Sequence, residues 1–256
     1  MKKIGLVLSG GGVRGVAQIG ALQAMHELGI HPNIVSGTSA GSIVGAMYAA
    51  GHPLDMIFDF FRNTPIFKAS HFATFKPGLM DSDKFIPVLK EFFPEDDFAA
   101  LRLKCYVTAT DIIKGKSRTF SSGEIIRPIL ASCAVPVVFT PVKIGETLYT
   151  DGGALNNFPV EPLIGQCDTV IGIDIHPLKE ISPKEIRNVL AVMERMTHLS
   201  VYYHSVGKHH LCNLTIAPKE LSRFGLFDRI GFDEMFEIGY QATIDRSKAL
   251  LQLLKH

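Results

Sequence analysis

The chain has 256 residues, 46% hydrophobic and 20% charged, which suits one large folded domain and excludes a disordered one. Its formal net charge is +1 with acidic and basic residues interspersed, so it lacks the concentrated basic face that nucleic acid requires. Local attraction to anionic lipid stays open. The apolar run after Met1-Lys2-Lys3 is too short for a signal peptide, and no stretch approaches the roughly twenty apolar residues of a membrane span. Cys105, Cys133, Cys167 and Cys212 are widely spaced in apolar-looking segments, and read as buried free thiols, not as a zinc site or a disulfide framework. The expectation is a cytoplasmic protein, with peripheral contact at the inner membrane face left open.

A continuous apolar run over residues 4–8 predicts a buried strand. Gly10-Gly11-Gly12-Val13-Arg14-Gly15 joins it to a helix over 16–28, where Ala17, Gly20, Ala21, Ala24 and Leu28 recur at helical spacing. Gly29 supplies the C′ residue. A second strand, 34–36, turns directly into another helix at Gly37-Thr38-Ser39-Ala40-Gly41, which Gly51-His52-Pro53 stops. Two strand–helix units in succession predict an α/β chain with a largely parallel sheet.

Residues 54–98 hold ten of the seventeen phenylalanines: Phe58, Phe60, Phe61, Phe67, Phe72, Phe75, Phe85, Phe92, Phe93 and Phe98. Pro65, Pro77, Gly78, Pro87 and Pro94 break the stretch into short helices and loops. It reads either as a cap packed on the core or as the lining or lid of an acyl-chain cleft.

Residues 105–109 look like a third strand, with Asp111 in the loop after it. Ser122-Gly123-Glu124 opens a helix bearing Ile125, Ile126, Ile129, Leu130 and Cys133. A hairpin, 142–144 and 148–150, turns at Gly145-Glu146 and runs into Asp151-Gly152-Gly153. Residues 170–175 form a further strand, and 213–217 a last one. Ser182 and Glu185 make a capping box with Pro183, beginning a helix whose Ile186, Val189, Leu190, Met193 and Met196 are expected to be buried. Asp233 is the expected cap of a final helix buried through Phe236, Tyr240, Leu250, Leu251 and Leu254. The expected organisation is one domain over 1–256, with a motif-bearing core to about 175 and a helical part from about 180.

Gly-x-Ser-x-Gly between a strand and a helix is the form of a nucleophile elbow, which presents Ser39 at a helix N-terminus. A serine nucleophile needs a base. Ser39, Asp151 and His176 satisfy the serine–acid–histidine order of the α/β-hydrolases, but Ser39 follows only the second strand, early for that fold. Asp151, flanked by glycines after a strand, reads as a simple turn or as a carboxylate presented at a strand end. The polar loop continuing through Asn156, Asn157 and Pro159 favours the second. The glycine loop offers successive N–H groups to an anion, phosphate or oxyanion. Gly10, Gly12 and Gly15 also match a dinucleotide fingerprint, yet the acidic residue that fingerprint needs is replaced by the serine elbow.

These blocks, with Ala134-Val135-Pro136-Val137-Val138-Phe139-Thr140-Pro141 and Asn156-Asn157-Phe158-Pro159, stand in an order that resembles the patatin-like phospholipases. These are serine lipid acyl hydrolases that use a Ser–Asp dyad, and the chain looks most like their small bacterial single-domain members. The family's oxyanion motif often begins with aspartate, where this chain has Ser9. The resemblance implies a three-layer α/β/α fold, with Ser39 as nucleophile and Asp151 as proton acceptor. It implies an oxyanion site at Gly10, Gly11 and Gly12, with Arg14 beside it, supported by Gly15, Gly37, Gly41, Gly152 and Gly153. It implies a phospholipase A, lysophospholipase or esterase acting on lipid esters without metal or cofactor. A non-catalytic lipid- or acyl-binding regulator and a nucleotide-binding protein are the alternatives. Head group, acyl position, chain length and oligomeric state are not legible.

Overall fold

All five residues of Ile4–Leu8 (β1) are buried, so the strand is covered on both faces and reads as an apolar run instead of an alternation. The computed structural model describes residues 2–65 and 68–255, so Phe67 lies outside the described residues, as do the side chains of Leu190 and Leu254. From β1 the chain enters α1 (Gly15–Glu27), then β2 (Ile34–Thr38) and α2 (Ala40–Ala50). Next come α3 (Leu54–Asn63), α4 (Ile86–Phe92), β3 (Lys104–Asp111), β4 (Lys116–Phe120) and α5 (Ile126–Ser132). A hairpin of β5 (Val142–Ile144) and β6 (Thr147–Asp151) precedes α6 (Gly153–Asn156) and β7 (Thr169–Ile173). The remainder is α7 (Val189–Val206), β8 (Leu214–Ile216), α8 (Phe232–Ile244) and α9 (Ser247–Lys255).

Strand pairing runs β5–β6–β3–β2–β1–β7–β8, with β4 added on β3. Strands β3, β2, β1, β7 and β8 are parallel, as expected, and β4, β5 and β6 join antiparallel. Strand β3 is shared in an instructive way. β2 pairs with it from Ile34↔Lys104 to Thr38↔Thr108, while β4 covers Val107 to Asp111. β6 meets β3 from Ala109↔Asp151 to Asp111↔Tyr149. A strand has two edges. With β4 on one of them over 107–111, β6 continues the edge that β2 leaves at Thr108. The strand ends at Thr38 and Asp151 therefore face consecutive residues of β3.

On one side of the sheet, Leu6, Leu8, Val35, Val107 and Ile171 pack with residues of α1, α2, α5 and α8. On the other, Val7, Ile34, Tyr106 and Val170 are covered by Phe158, Val160 and Leu163. The fold is thus three-layered, but unequally, since the second cover is a loop with short turns and α7 lies over α6. Among the described residues, no helix is long and apolar enough to cross a membrane. All four cysteines are free, though only Cys105 is fully buried.

Several local expectations need correction. Asp111 ends β3, where its Oδ1 accepts from the N–H groups of Ile113 and Lys114 and so caps the turn into β4. The Ser182 capping box exists but closes a single 3₁₀ turn, and α7 starts afresh from Asn188, whose side chain accepts from Ala191 N–H. The stripe expected to be buried faces outward: Val189 is 76% exposed, and Met193 and Met196 are 60%. The inward residues are mixed: Val201 is buried, Ser205 is buried beside Asn157, and Arg195 donates to Lys179 O. Finally, α8 is capped by Gly231, and Asp233 in its first turn pairs with Arg62. The helical stretch then breaks at Asp245, leaving Leu250 buried and Leu251 exposed.

Helix α8 crosses α1 at backbone contact. A Cβ on Gly20 would lie 2.0 Å from Phe236 O, and one on Gly239 would lie 1.8 Å from Ala17 O. Helix propensity alone favours alanine by about 1 kcal/mol. Because the obstacles are carbonyl groups that cannot swing aside, the clash outweighs it. Gly20→Ala and Gly239→Ala are each expected to cost about 3 kcal/mol, read as a lower urea midpoint.

Candidate active site

At the end of β2 the backbone turns sharply enough that Ser39 holds φ 52° and ψ −126°. A positive φ at a residue with a Cβ costs roughly 1–3 kcal/mol and persists only where neighbours enforce it. Here Ser39 N–H donates to Ser132 Oγ at 2.8 Å, and Ser132 Oγ donates to Thr108 O at 2.6 Å, hooking the turn onto β3. The flanking glycines are needed for space. A Cβ on Gly37 would lie 2.2 Å from Gly41 O, and one on Gly41 would lie 2.3 Å from Leu8 O.

Asp151 stands at the end of β6, 7% exposed, with Oδ1 accepting from Gly153 N–H at 2.7 Å. Burial pushes its carboxyl up to about 6, against the opposing hydrogen bonds from the Ser39 side chain and Gly153 N–H. The structure therefore brings Ser39 and Asp151 together. Gly152 and Gly153 keep the approach narrow: a Cβ would lie 2.3 Å from Thr108 O at the first and 2.9 Å from Asp151 Oδ1 at the second.

The glycine loop lies over the serine, since a Cβ on Gly10 would be 3.0 Å from that of Ser39. Asn157 grips Gly10 on both sides: its O accepts from Gly10 N–H at 3.1 Å, and its Nδ2 donates to Gly10 O at 3.3 Å. The Gly10 N–H is thus committed, which leaves the N–H groups of Gly11 and Gly12 as the loop's available donors. Ser9 accepts from Ile175 N–H through its hydroxyl and from Gln18 Nε2 through its carbonyl, fastening the loop's start. Arg14, 3% exposed, donates from Nε to Gly11 O at 3.0 Å. Burial lowers its guanidinium to about 10, with Asp174 and Asp228 opposing, so it remains a cation at neutral pH. Its place is behind the loop, as a strut. Gly15 faces the Phe61 ring, 2.9 Å from where a Cβ would stand.

His176 is not with the serine. Its Nδ1 lies 3.4 Å from Arg14 Nη2 and its ring packs on His198 at 4.5 Å between centroids. Burial holds His176 well below the ordinary histidine range, and Arg14 and His198 add to this. His198 falls to about 4 by burial, with Arg14 and Arg195 lowering it further. Both rings are therefore neutral at pH 7. Among the described residues, no group of three or more His, Cys, Asp or Glu is placed to hold a metal.

Ser39 opens onto an apolar cavity of about 130 Å³. Phe60, Phe61 and Phe85 line it opposite Ile129, Leu130 and Phe139. The phenylalanine-rich stretch thus divides: part lines the cavity, part packs into the core at Phe93 and Phe98, and Phe72 and Phe75 are exposed. Two participants had escaped the sequence. Ser132 is an isolated serine in an apolar helix, its one available signal. Leu226, in the motif-free last third, accepts from Val13 N–H at 2.9 Å and lines the cavity with Phe227. Only the short Phe224-Gly225-Leu226-Phe227 run hints at it.

The family profile described as patatin-like phospholipase matches residues 6–164. An uncharacterized NTE family protein of Mycobacterium tuberculosis is 28% identical over 204 residues, 76% of this chain and 56% of its own. Lysophospholipase NTE1 of Phaeosphaeria nodorum is 26% identical over 286 residues, 94% of this chain but 18% of its own. The chain thus spans little more than half of the first and under a fifth of the second. VipD of Legionella pneumophila superposes with a TM-score of 0.68 at 16% identity, covering 97% of this chain and 67% of that one. At that identity the likeness is one of fold.

A carboxyl raised by folding is proton-bound more readily in the native than in the unfolded state. Its stabilising contribution is full below about pH 4 and is lost as pH rises through about 6. Asp151→Asn keeps an acceptor for Gly153 N–H without the buried charge. It is expected to exceed the wild type by about 2 kcal/mol at pH 8 and to match it near pH 4, measured by denaturant unfolding at both.

Proposed function

The chain belongs to the patatin-like phospholipase family, and from that premise we propose that it is a serine hydrolase of lipid carboxylic esters. The observation that carries this reading is the contact of Ser39 with a buried Asp151 raised to about 6, beneath a glycine loop and beside an apolar cavity. In this reading, Ser39 Oγ attacks the ester carbonyl and its proton passes to the Asp151 carboxylate. The N–H groups of Gly11 and Gly12 hold the oxyanion, and the α2 N-terminus adds its positive end. Collapse breaks the bond to the alcohol, which leaves with the proton from Asp151. Water then attacks the acyl-Ser39, giving one proton to Asp151, and the serine is regenerated as the free acid departs.

A carboxylate at about 6 suits the task better than free aspartate near 3.9: it is ionised at neutral pH yet a stronger proton acceptor. The apolar lining supports an acyl chain in the cavity, and the likeness to a lysophospholipase supports phospholipids or lysophospholipids as the substrate class. Peripheral contact with anionic lipid fits a rim beside the cavity. Phe72, Phe75, Leu79 and Val137 are exposed there, and Phe75 and Val137 hold positive φ of 57° and 71°. Leu79 N–H donates to Val137 O, and Val135 and Phe139 on either side of Val137 line the cavity. Lys68 stands in the stretch 68–80, whereas Lys76 is paired with Asp81 at 2.7 Å and with Asp83 at 3.6 Å, so the contact rests mainly on the apolar rim. Four free thiols suit a reducing compartment, hence the cytoplasmic face.

A fluorophosphonate probe is expected to label Ser39, and Ser39→Ala and Asp151→Asn to lose at least about 10³-fold in kcat. kcat/KM should rise with pH through about 6. Because His176 only backs Arg14, His176→Ala should cost less than about tenfold, and full activity in Asp151→Asn would sink the dyad. For the rim, Phe75→Ser with Val137→Ser should weaken sedimentation with phosphatidylglycerol vesicles about tenfold.

A further inference from the structure

We propose that Phe60 and Val88 form the end wall of the cavity and set the longest acyl chain it accepts, an inference that rests on the cavity being an acyl site. The apolar cavity has a neighbour, an open groove along α3 and α4. Phe60, Thr64 and Val88 line both. Beyond them the surroundings change, because the groove presents Asp55, Asp59, Asn63 and Glu91. Helix α3 rests on α1 and α2, whereas α4 rests on α5, so the seam between α3 and α4 is where these side chains meet. Phe60 stands edge-on to Phe61, a cavity residue, at 5.7 Å and to Phe92, a groove residue, at 5.4 Å. Phe60, with Val88 and Thr64, thus stands between an apolar space and an open, acidic one.

The energetic consequence follows from where a methylene ends up. Inside the cavity, each one buried contributes about fourfold to kcat/KM or to affinity. A methylene forced past the wall would remain in water beside carboxylates and contribute nothing. A plot of log kcat/KM against chain length should therefore climb and then break at the chain that reaches Phe60. Removing the ring joins the two spaces and moves the break to longer chains. Thickening Val88 moves it to shorter ones.

The experiment is a saturated p-nitrophenyl ester series from two to sixteen carbons, kept below micelle formation, with parallel binding of saturated fatty acids from six to sixteen carbons. It compares the wild type, Phe60→Ala, Val88→Ala and Val88→Leu, each checked for cooperative melting. The readout is internal to each protein: the rate for chains two methylenes past the wild-type break, divided by that at the break. This ratio should rise about tenfold or more in Phe60→Ala, rise a few-fold in Val88→Ala, and fall in Val88→Leu. Val88→Ala and Val88→Leu carry the test if the larger deletion does not fold. An unchanged break in the folded variants overturns the proposal. Absence of any turnover in the wild type sinks the hydrolase reading instead, and a break in fatty-acid binding that moves with the variants would leave the wall standing.

Discussion

The arrangement on which the rest depends is the handover at one edge of β3. β2 holds that edge as far as Thr108 and β6 takes it from Ala109, so the strand ends at Thr38 and Asp151 arrive side by side. Ser39 follows Thr38, and its strained backbone is what turns the chain off the edge in time for β6 to enter. Ser132 ties Ser39 to β3, accepting from Ser39 N–H while donating to Thr108 O. The contact between serine and aspartate is thus a product of sheet register. No loop has to bring the two together.

The same closeness is costly. Asp151 is ionised at neutral pH in a place where burial resists it. Arg14 is a buried cation held near Asp174 and Asp228, and the two histidines beside it stay neutral, which avoids adding a like charge. Stability to offset this comes from the same side of the sheet, where α1 and α8 meet backbone to backbone and enclose a continuous apolar core. A site of this kind belongs on a well-packed scaffold.

How much was legible follows from how local each signal is. Ser39, Asp151 and the glycine loop were readable because each is marked by residues beside it in the chain. The parallel core was readable because doubly covered strands are apolar runs. β4 was not, since Lys116-Ser117-Arg118-Thr119-Phe120 lies at an edge with its first three residues exposed and has neither an apolar run nor an alternation. The orientation of α7 was read the wrong way round. Its inward face mixes buried Val201 with Ser205 and Arg195, which are held by hydrogen bonds, while the more regular apolar spacing of Val189, Met193 and Met196 faces outward. The commitment of Gly10 N–H to Asn157, and the closure by Leu226, are contacts across 147 and more residues that no local pattern records.

Those long spans bear on when the protein becomes competent during its synthesis. The loop at residues 10–12 leaves the ribosome well before Asn157, which grips it, and Leu226, which receives Val13 N–H. Until those later residues have emerged and docked, the early glycines lack the contacts that hold them in shape. A nascent chain carrying both Ser39 and the loop is therefore an unassembled site. Assembly of the site waits for Asn157 and Leu226 to emerge and dock, and is a property of the finished fold.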